Sequence, residues 1–321
     1  IGVSKRESDL VMAPVPMGRG AQVTYGTVIP KDNPFMPESI RAATPDSGLS
    51  YRKRMLDVGP RLFNQEANTY RMEFGATGTL DRLGADWEAY YTYQNFHQAQ
   101  VTRNYINMLA VQNAFDVEAG AGIDINGTQY RCKDEIARQL GCVPLNMFGP
   151  NSITEAAADY IRQNEKNTYG TTYHGYAFNL TNIPVYELPA GEVLMAVGLE
   201  MVDLAGYETV DGLTEAGGSS GNPRLSTKGS YDSRDTYAEI SIPLLADIPG
   251  FQELNIDYAY RATSYSQFDS ESVDRTAIKW KPINDLTVRA TSSTSYKAPT
   301  ISDLYFGGGG SFPTYVDPCE Q

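Results

Sequence analysis

The sequence predicts an all-β protein: an antiparallel segment of a transmembrane β-barrel, about 8–10 meandering strands with long extracellular loops, one of them containing short helices. Three observations predict this. From residue 67 onward, runs of about ten residues alternate apolar and polar side chains. The connections between runs alternate between short and long. The composition, with 22 Tyr against 11 Phe and 2 Trp and with 29 Gly, suits many strands separated by turns.

The first run, residues 67–78, puts Tyr70, Met72, Phe74 and Ala76 on one face and Thr69, Arg71, Glu73 and Thr77 on the other, because successive strand side chains point to opposite faces. A short turn at 79–84 leads into 85–95. There Trp87, Ala89, Tyr91 and Tyr93 oppose Glu88, Tyr90, Thr92 and Gln94. A long connection follows, 96–168, with helix-like stretches near 104–115 and 154–164. Ser152-Ile153-Thr154-Glu155 reads as a helix start, a hydroxyl cap before an acidic first turn.

Alternation resumes at 169–182, with Tyr176, Phe178 and Leu180 in phase. The breakers Pro184, Pro189 and Gly191 mark a turn at 183–191. The run 192–202 sets Val193, Met195, Val197, Leu199 and Met201 against Glu192, Ala196, Gly198 and Glu200, before a second long connection, 203–230. The runs 231–243 and 253–265 follow, joined by a turn at 244–252 that contains Pro249-Gly250. A polar loop at 266–271 precedes the runs 272–281 and 285–296, which flank a tight turn at Pro282-Ile283-Asn284. The glycine run Gly307–Gly310 reads as a flexible loop.

The polar phase carries Arg71, Glu73, Glu88, Glu200, Glu239, Asp257, Arg261, Lys279 and Arg289. Nine charges suit the water-filled lumen of a barrel, but they also suit a soluble sheet with one solvated face, so alternation alone leaves both open. The asymmetry of the connections and aromatic residues near strand ends favour the barrel, with short periplasmic turns and long extracellular loops. No run of about 18 apolar residues exists, which excludes a spanning helix.

The net charge of -13 and the lack of a basic patch argue against nucleic acid as a partner. The most basic run, Arg52-Lys53-Arg54, reads as a solvated loop. Of the three cysteines, Cys132 and Cys142 lie ten apart in the first long connection. Two readings stand: a loop-closing disulfide, favoured if the barrel places this loop outside the cell, or unrelated thiols. Cys319 would then pair elsewhere. The chain starts at Ile1 and stops in the loop-like Asp317-Pro318-Cys319-Glu320-Gln321, so it reads as an internal piece of a longer protein.

Several stretches resemble proteobacterial TonB-dependent outer-membrane receptors: 237–268 (YAEISIPLLADIPGFQELNIDYAYRATSYSQF) and 279–309 (KWKPINDLTVRATSSTSYKAPTISDLYFGGG). The second holds Tyr296-Lys297-Ala298-Pro299 before Ile301-Ser302-Asp303-Leu304-Tyr305, with Tyr-Lys where the family more often has Phe-Arg. NPFMP (33–37), CVPLNMFG (142–149), LPAGEVLMAVGLE (188–200) and Asp317-Pro318-Cys319 match as well, in order along nearly the whole chain.

The resemblance implies a barrel of ~22 strands with a plugged lumen, of which residues 1–321 would be a partial barrel domain lacking the plug. Residues 1–66 would be an extracellular loop and strand remnant, and 96–168 and 203–230 extracellular loops. It implies, as partners, outer-membrane lipid of a Gram-negative bacterium, the protein's own plug, an inner-membrane energy-coupling complex acting through that plug, and a small-molecule or chelate solute. It implies energy-coupled uptake of a scarce solute: a metal chelate, cobalamin or a saccharide.

Loops on a stiff scaffold are where binding concentrates, so Asn104, Tyr105, Asn107, Tyr130, Asn146, Tyr207 and Asn222 are the candidate ligand contacts. A passive porin and a secreted β-rich binding protein are the alternatives. The sequence has no phosphate loop, dinucleotide fingerprint, metalloprotease helix or nucleophile elbow. His97 and His174 are isolated and read as polar surface or lumen residues. No catalytic residue, metal site or cofactor is expected.

Overall fold

A computed structural model describes residues 1–18 and 25–310. Strands make up 61% of the chain, and the helices are short, as an all-β reading requires. Nine strands form one antiparallel meander: β1 (Gly2–Met12), β2 (Arg61–Leu80), β3 (Ala85–Ile106), β4 (Arg162–Leu188), β5 (Gly191–Thr209), β6 (Thr227–Ile248), β7 (Phe251–Tyr265), β8 (Glu271–Ile283) and β9 (Leu286–Ser293). Each pairs with its neighbour in sequence, leaving β1 and β9 at the two edges of an open sheet.

The connections sort by side. At one end residues 81–84, 189–190, 249–250 and 284–285 turn directly between strands. Pro249-Gly250 supplies the fixed φ and the left-handed residue such a turn needs, with Gly250 at φ 81. At the other end lie residues 13–60, 107–161 and 210–226. Pro184 and Pro243, which cannot donate to a ladder, sit where the register slips in β4 and β6.

Register places the predicted apolar phase on one face throughout. Phe74, Tyr91, Tyr176 and Met201 are laterally aligned, and so are Ile242, Ile256 and Ile278. These large side chains are exposed: Phe74 at 60%, Leu199 at 47%. A face of this kind is stable against hydrocarbon rather than water. The band occupies about ten residues at the turn end of β2–β8; at 3.3 Å per residue and ~40° of tilt that is roughly 25 Å, the height of an outer-membrane apolar belt. Trp87 and Trp280 lie near its turn-side margin. Tyr91, Tyr93, Tyr176 and His174 cluster near the other, with rings 5.0–6.1 Å apart, as girdle residues do.

β4 runs 27 residues and β3 runs 22, about twice what crosses a bilayer. The strands therefore extend through stretches that the sequence marked as connection: β3 continues to Ile106, β4 begins at Arg162, β5 continues to Thr209, and β2 begins at Arg61. The alternation fades there because, above the lipid, both faces of the sheet meet polar surroundings. The helix-like stretches shorten for the same reason, to Met108–Phe115, capped by Asn107, and Glu155–Ile161, capped by Thr154.

The buried apolar core is not in the sheet. It lies in a cap that residues 13–60 and 107–161 build together above β1–β4. Met17, Ile29, Met36 and Met55 come from the first segment; Met108, Phe115, Leu145 and Ile161 come from the second and its strand borders. The Tyr51 ring meets Phe115 edge-on at 5.7 Å. Lys53 Nζ crosses between the segments, donating to the carbonyls of Met147 (3.2 Å) and Gly149 (3.0 Å) and to Ser152 Oγ (3.1 Å), and burial pushes its ammonium pKa down.

Cys132 and Cys142 are disulfide-bonded, with Cα atoms 6.2 Å apart. The bond ties the hairpin strand Thr128–Cys132 to the end of the helix Glu135–Gln139. Cys319 lies outside the described residues.

Replacing both Cys132 and Cys142 by Ser is expected to weaken the cap by about 2–3 kcal/mol, the loop-closure value for a crosslink of this size. Hydrogen exchange would show faster amides over residues 107–161 and unchanged protection in β5–β8. Equal exchange in both regions would contradict the separation of cap and wall.

Candidate functional site

The inward face of the wall carries a connected polar network. All nine charged residues of the predicted lumen set lie on this face by register. Arg71 meets Glu73 at 2.7 Å, and Thr92 donates to Glu73 at 3.1 Å. Asn179 Nδ2 donates to Glu88 at 2.6 Å. Arg261 on β7 bridges Asp235 on β6 (3.0 Å) and Glu200 on β5 (2.7 Å), which are themselves cross-strand partners. Ser241 donates to Asp257 at 2.7 Å, Lys279 meets Glu253 at 2.6 Å, and Arg275 reaches Glu239 at 4.0 Å. Arg289 stands opposite Lys279.

Among the described residues, hollows indent this face. One, of about 820 Å³, is lined by Arg71, Glu73, Glu88, Tyr90 and Tyr173. Another, of about 550 Å³, is lined by Asn179, Tyr237, Glu239, Arg261 and Arg275; both also touch Tyr90 and Glu200. Gly198 faces Tyr237 across the β5–β6 pair, and a Cβ there would come within 2.3 Å of the ring. That glycine lets the phenol lie flat on the wall and donate to Asn179.

At the loop end, two segments fold onto this face. Residues 210–226 are fastened by Arg224, which pairs with Glu165 on β4 and Glu208 on β5, each at 3.1 Å. Glu165 is 2% exposed; Asn167 donates to its Oε1 at 2.7 Å, and its Oε2 has no hydrogen-bond partner among the described residues. The same segment joins the cap through the bonds Met108 N to Gly218 O (2.8 Å) and Ser220 N to Ile106 O (2.9 Å).

Residues 294–310 cross from β9 to the same place. Their helix, Ile301–Tyr305, lies over Gly206 and Gly229, a cross-strand pair. A Cβ on Gly229 would lie 2.1 Å from the Tyr305 ring, and Tyr305 Oη donates to Ser230 O at 2.7 Å. The glycine run beyond it is paired: Leu225 N donates to Gly308 O at 3.0 Å and Gly310 N to Pro223 O at 2.7 Å.

A family model for the TonB dependent receptor-like β-barrel matches residues 24–318. The chain belongs to the TonB-dependent receptor β-barrel family. No curated protein and no solved structure matches it. The family is one of transport receptors in the outer membrane of Gram-negative bacteria, not of enzymes, and its barrels in general work with a plug and the TonB coupling system.

The candidate contacts of this receptor barrel scatter. Tyr105 reaches the inner side. Asn104 adopts φ 61 and adds a residue to β3 between the pairs Gln163–Tyr105 and Glu165–Thr102. Such a bulge re-aims the next side chain, and the Tyr105 ring sits 6.3 Å from Phe63. Asn104 itself donates to Pro60 O at 2.7 Å. Asn107 is occupied as a helix cap, accepting from Leu109 N (3.0 Å) and Ala110 N (3.1 Å). Asn146 accepts from Phe148 N at 2.9 Å inside the cap. Tyr130 lies in the cap hairpin, and Asn222 donates to Gly310 O at 3.4 Å.

Tyr207, expected in a loop, is instead in β5. It shares the phase of Leu199 and Met201 on the outward face, against His97 Nδ1 at 3.0 Å. His174, on the same face, meets the Tyr91 hydroxyl at 2.9 Å. Neither histidine faces the lumen, because each lies in the apolar phase of its strand.

Residues not singled out from sequence stand at the mouth. Tyr231 (β6), Tyr265 (β7), Phe268 and Tyr296 form one aromatic patch with centroid separations of 4.1–6.1 Å. Tyr231 and Tyr265 share the phase of Asp235 and Arg261, so the patch is on the inner side. Three separate segments build it, and its sequence trace was tyrosine in the polar phase.

Arg224→Met is expected to free residues 210–226, since it strands a buried carboxylate at a cost of about 3 kcal/mol. Hydrogen exchange there should accelerate, and adding Glu165→Gln should restore most of the protection; unchanged exchange in the single variant would show that this pair does not hold the segment. Gly229→Ala should lift the Ile301–Tyr305 helix from the wall, measurable as a changed spin-label distance between the exposed positions 302 and 228. The same label pair should stay put in Gly250→Ala, a change confined to the turn end.

Proposed function

We propose that this chain forms part of the wall and mouth of a receptor that captures a scarce, large solute outside the cell and passes it inward by energy coupling. The observation that carries this is the contrast between the two faces: an exposed apolar band with aromatic margins outside, and inside a charged, hollowed face onto which two segments from the loop end fold. A structural sandwich has no use for that arrangement. In this reading the loop end is extracellular, which puts the disulfide-bonded cap in an oxidising space, and the short turns face the periplasm.

The nine strands need further strands to close, because unpaired backbone on β1 and β9 would not be tolerated in lipid. The plug would rest on the inward network and transmit the pull of the inner-membrane complex. The captured solute, whether metal chelate, cobalamin or saccharide, would contact Tyr105 and the hollows of the inner wall. A passive channel would share the wall but would need neither plug nor coupling.

The deciding measurement is solute accumulation in cells with and without this gene, with the energy-coupling complex intact or deleted. Uptake that requires both supports the proposal. Uptake that survives loss of coupling indicates a passive channel, and a gene deletion without any transport deficit removes the transport reading.

A further inference from the structure

The aromatic patch at the mouth has a composition that narrows the solute. Its rings come from Tyr231, Tyr265, Phe268 and Tyr296, and each lies within 6.1 Å of the next. Phe268 stacks on Tyr265 at 4.1 Å and 22°, propping that ring in place. Tyr296 remains 37% exposed. The patch belongs neither to the outward apolar band, whose phase is opposite, nor to the cap core. Aromatic surface held open to water on an otherwise charged inner face is costly unless something covers it.

The charges around the rings favour a neutral occupant over an anionic one. Arg261, the guanidinium nearest the patch on the inner phase of these strands, is already engaged by Glu200 and Asp235. Arg224, across the mouth, is engaged by Glu165 and Glu208. Lys297, beside Tyr296, has the Asp303 carboxylate in its field; that carboxyl is held below its usual range chiefly by the Thr300 backbone N–H and hydroxyl, and also by Lys297. Glu271, paired with Thr263 on the inner phase, adds negative charge to the rim. Lys297 makes no ion pair among the described residues, so a negatively charged chelate would gain one ammonium, already in the field of Asp303, against the hydration it loses.

A pyranose ring suits the same surroundings. Its C–H face stacks on a phenol ring, and its hydroxyls find an acceptor in the exposed Glu271 carboxylate, on the same phase as Thr263, and partners in the tyrosine hydroxyls.

We propose that Tyr231, Tyr265, Phe268 and Tyr296 form a carbohydrate-binding platform at the mouth, and that the solute is a neutral oligosaccharide. This rests on the uptake reading above and selects one solute class within it.

The test titrates the full-length receptor in detergent with neutral linear gluco-, manno-, xylo- and galacto-oligosaccharides and, separately, with an anionic ferric tris-catecholate, using calorimetry up to millimolar concentration. At least one sugar series should bind. Tyr296→Ala should weaken that binding about tenfold, the loss of one ring contact, while Tyr296→Phe should retain it within about threefold. The catecholate should bind wild type and Tyr296→Ala alike and weakly. Absence of Tyr296-dependent binding in every sugar series overturns the proposal, as does tight catecholate binding. Sugar binding without coupled accumulation in cells would keep the platform and overturn the uptake reading; coupled accumulation of a chelate would do the reverse.

Discussion

Hydrocarbon offers a backbone no hydrogen-bond partner, and the rest of this structure follows from that constraint. Every strand segment in the apolar band must pair on both sides, so the chain meanders and each strand bonds to its sequence neighbour. Once paired, the sheet has two faces and a period of two. One face must satisfy lipid; the other is released to serve water and solute. The nine charges, the hollows and the Arg261 bridge across β5, β6 and β7 all occupy that released face.

The same constraint explains why the apolar core stands outside the sheet. A wall with lipid on one side and water on the other has no interior of its own. Apolar side chains such as Met55, Phe115 and Ile161 find burial only where two long connections meet above the membrane. At ~1.5–3 kcal/mol for each large side chain buried, such a cluster can order a cap that the strands below do not enclose. Lys53 fastens its two halves and the disulfide closes a loop within the second, so the cap behaves as a small globule seated on a barrel rim.

Neutralisation is the theme of the inner face. Almost every acid there has a named cation, amide or hydroxyl, and the mouth segments are pinned by charge at Arg224 and by shape at Gly206 and Gly229. Surface ion pairs contribute little each, but Glu165 is buried, so its pairing decides where residues 210–226 rest.

The sequence by itself determined the strand phases within the membrane belt, the side of each connection and the charged composition of the inner face. A period of two imposed by lipid survives in any window of ten residues, as 67–78 shows. It also marked Cys132 and Cys142, ten apart in one connection, as candidates for closing a loop. Tertiary structure alone decided where the strands end, because above the lipid neither face is forced to be apolar and the pattern disappears. It alone merged two distant connections into one cap, turned Tyr105 inward through the Asn104 bulge, set Tyr207 outward, and gathered Tyr231, Tyr265, Phe268 and Tyr296 into one patch. Those outcomes depend on register and on contacts between residues far apart in the chain, and local periodicity carries neither.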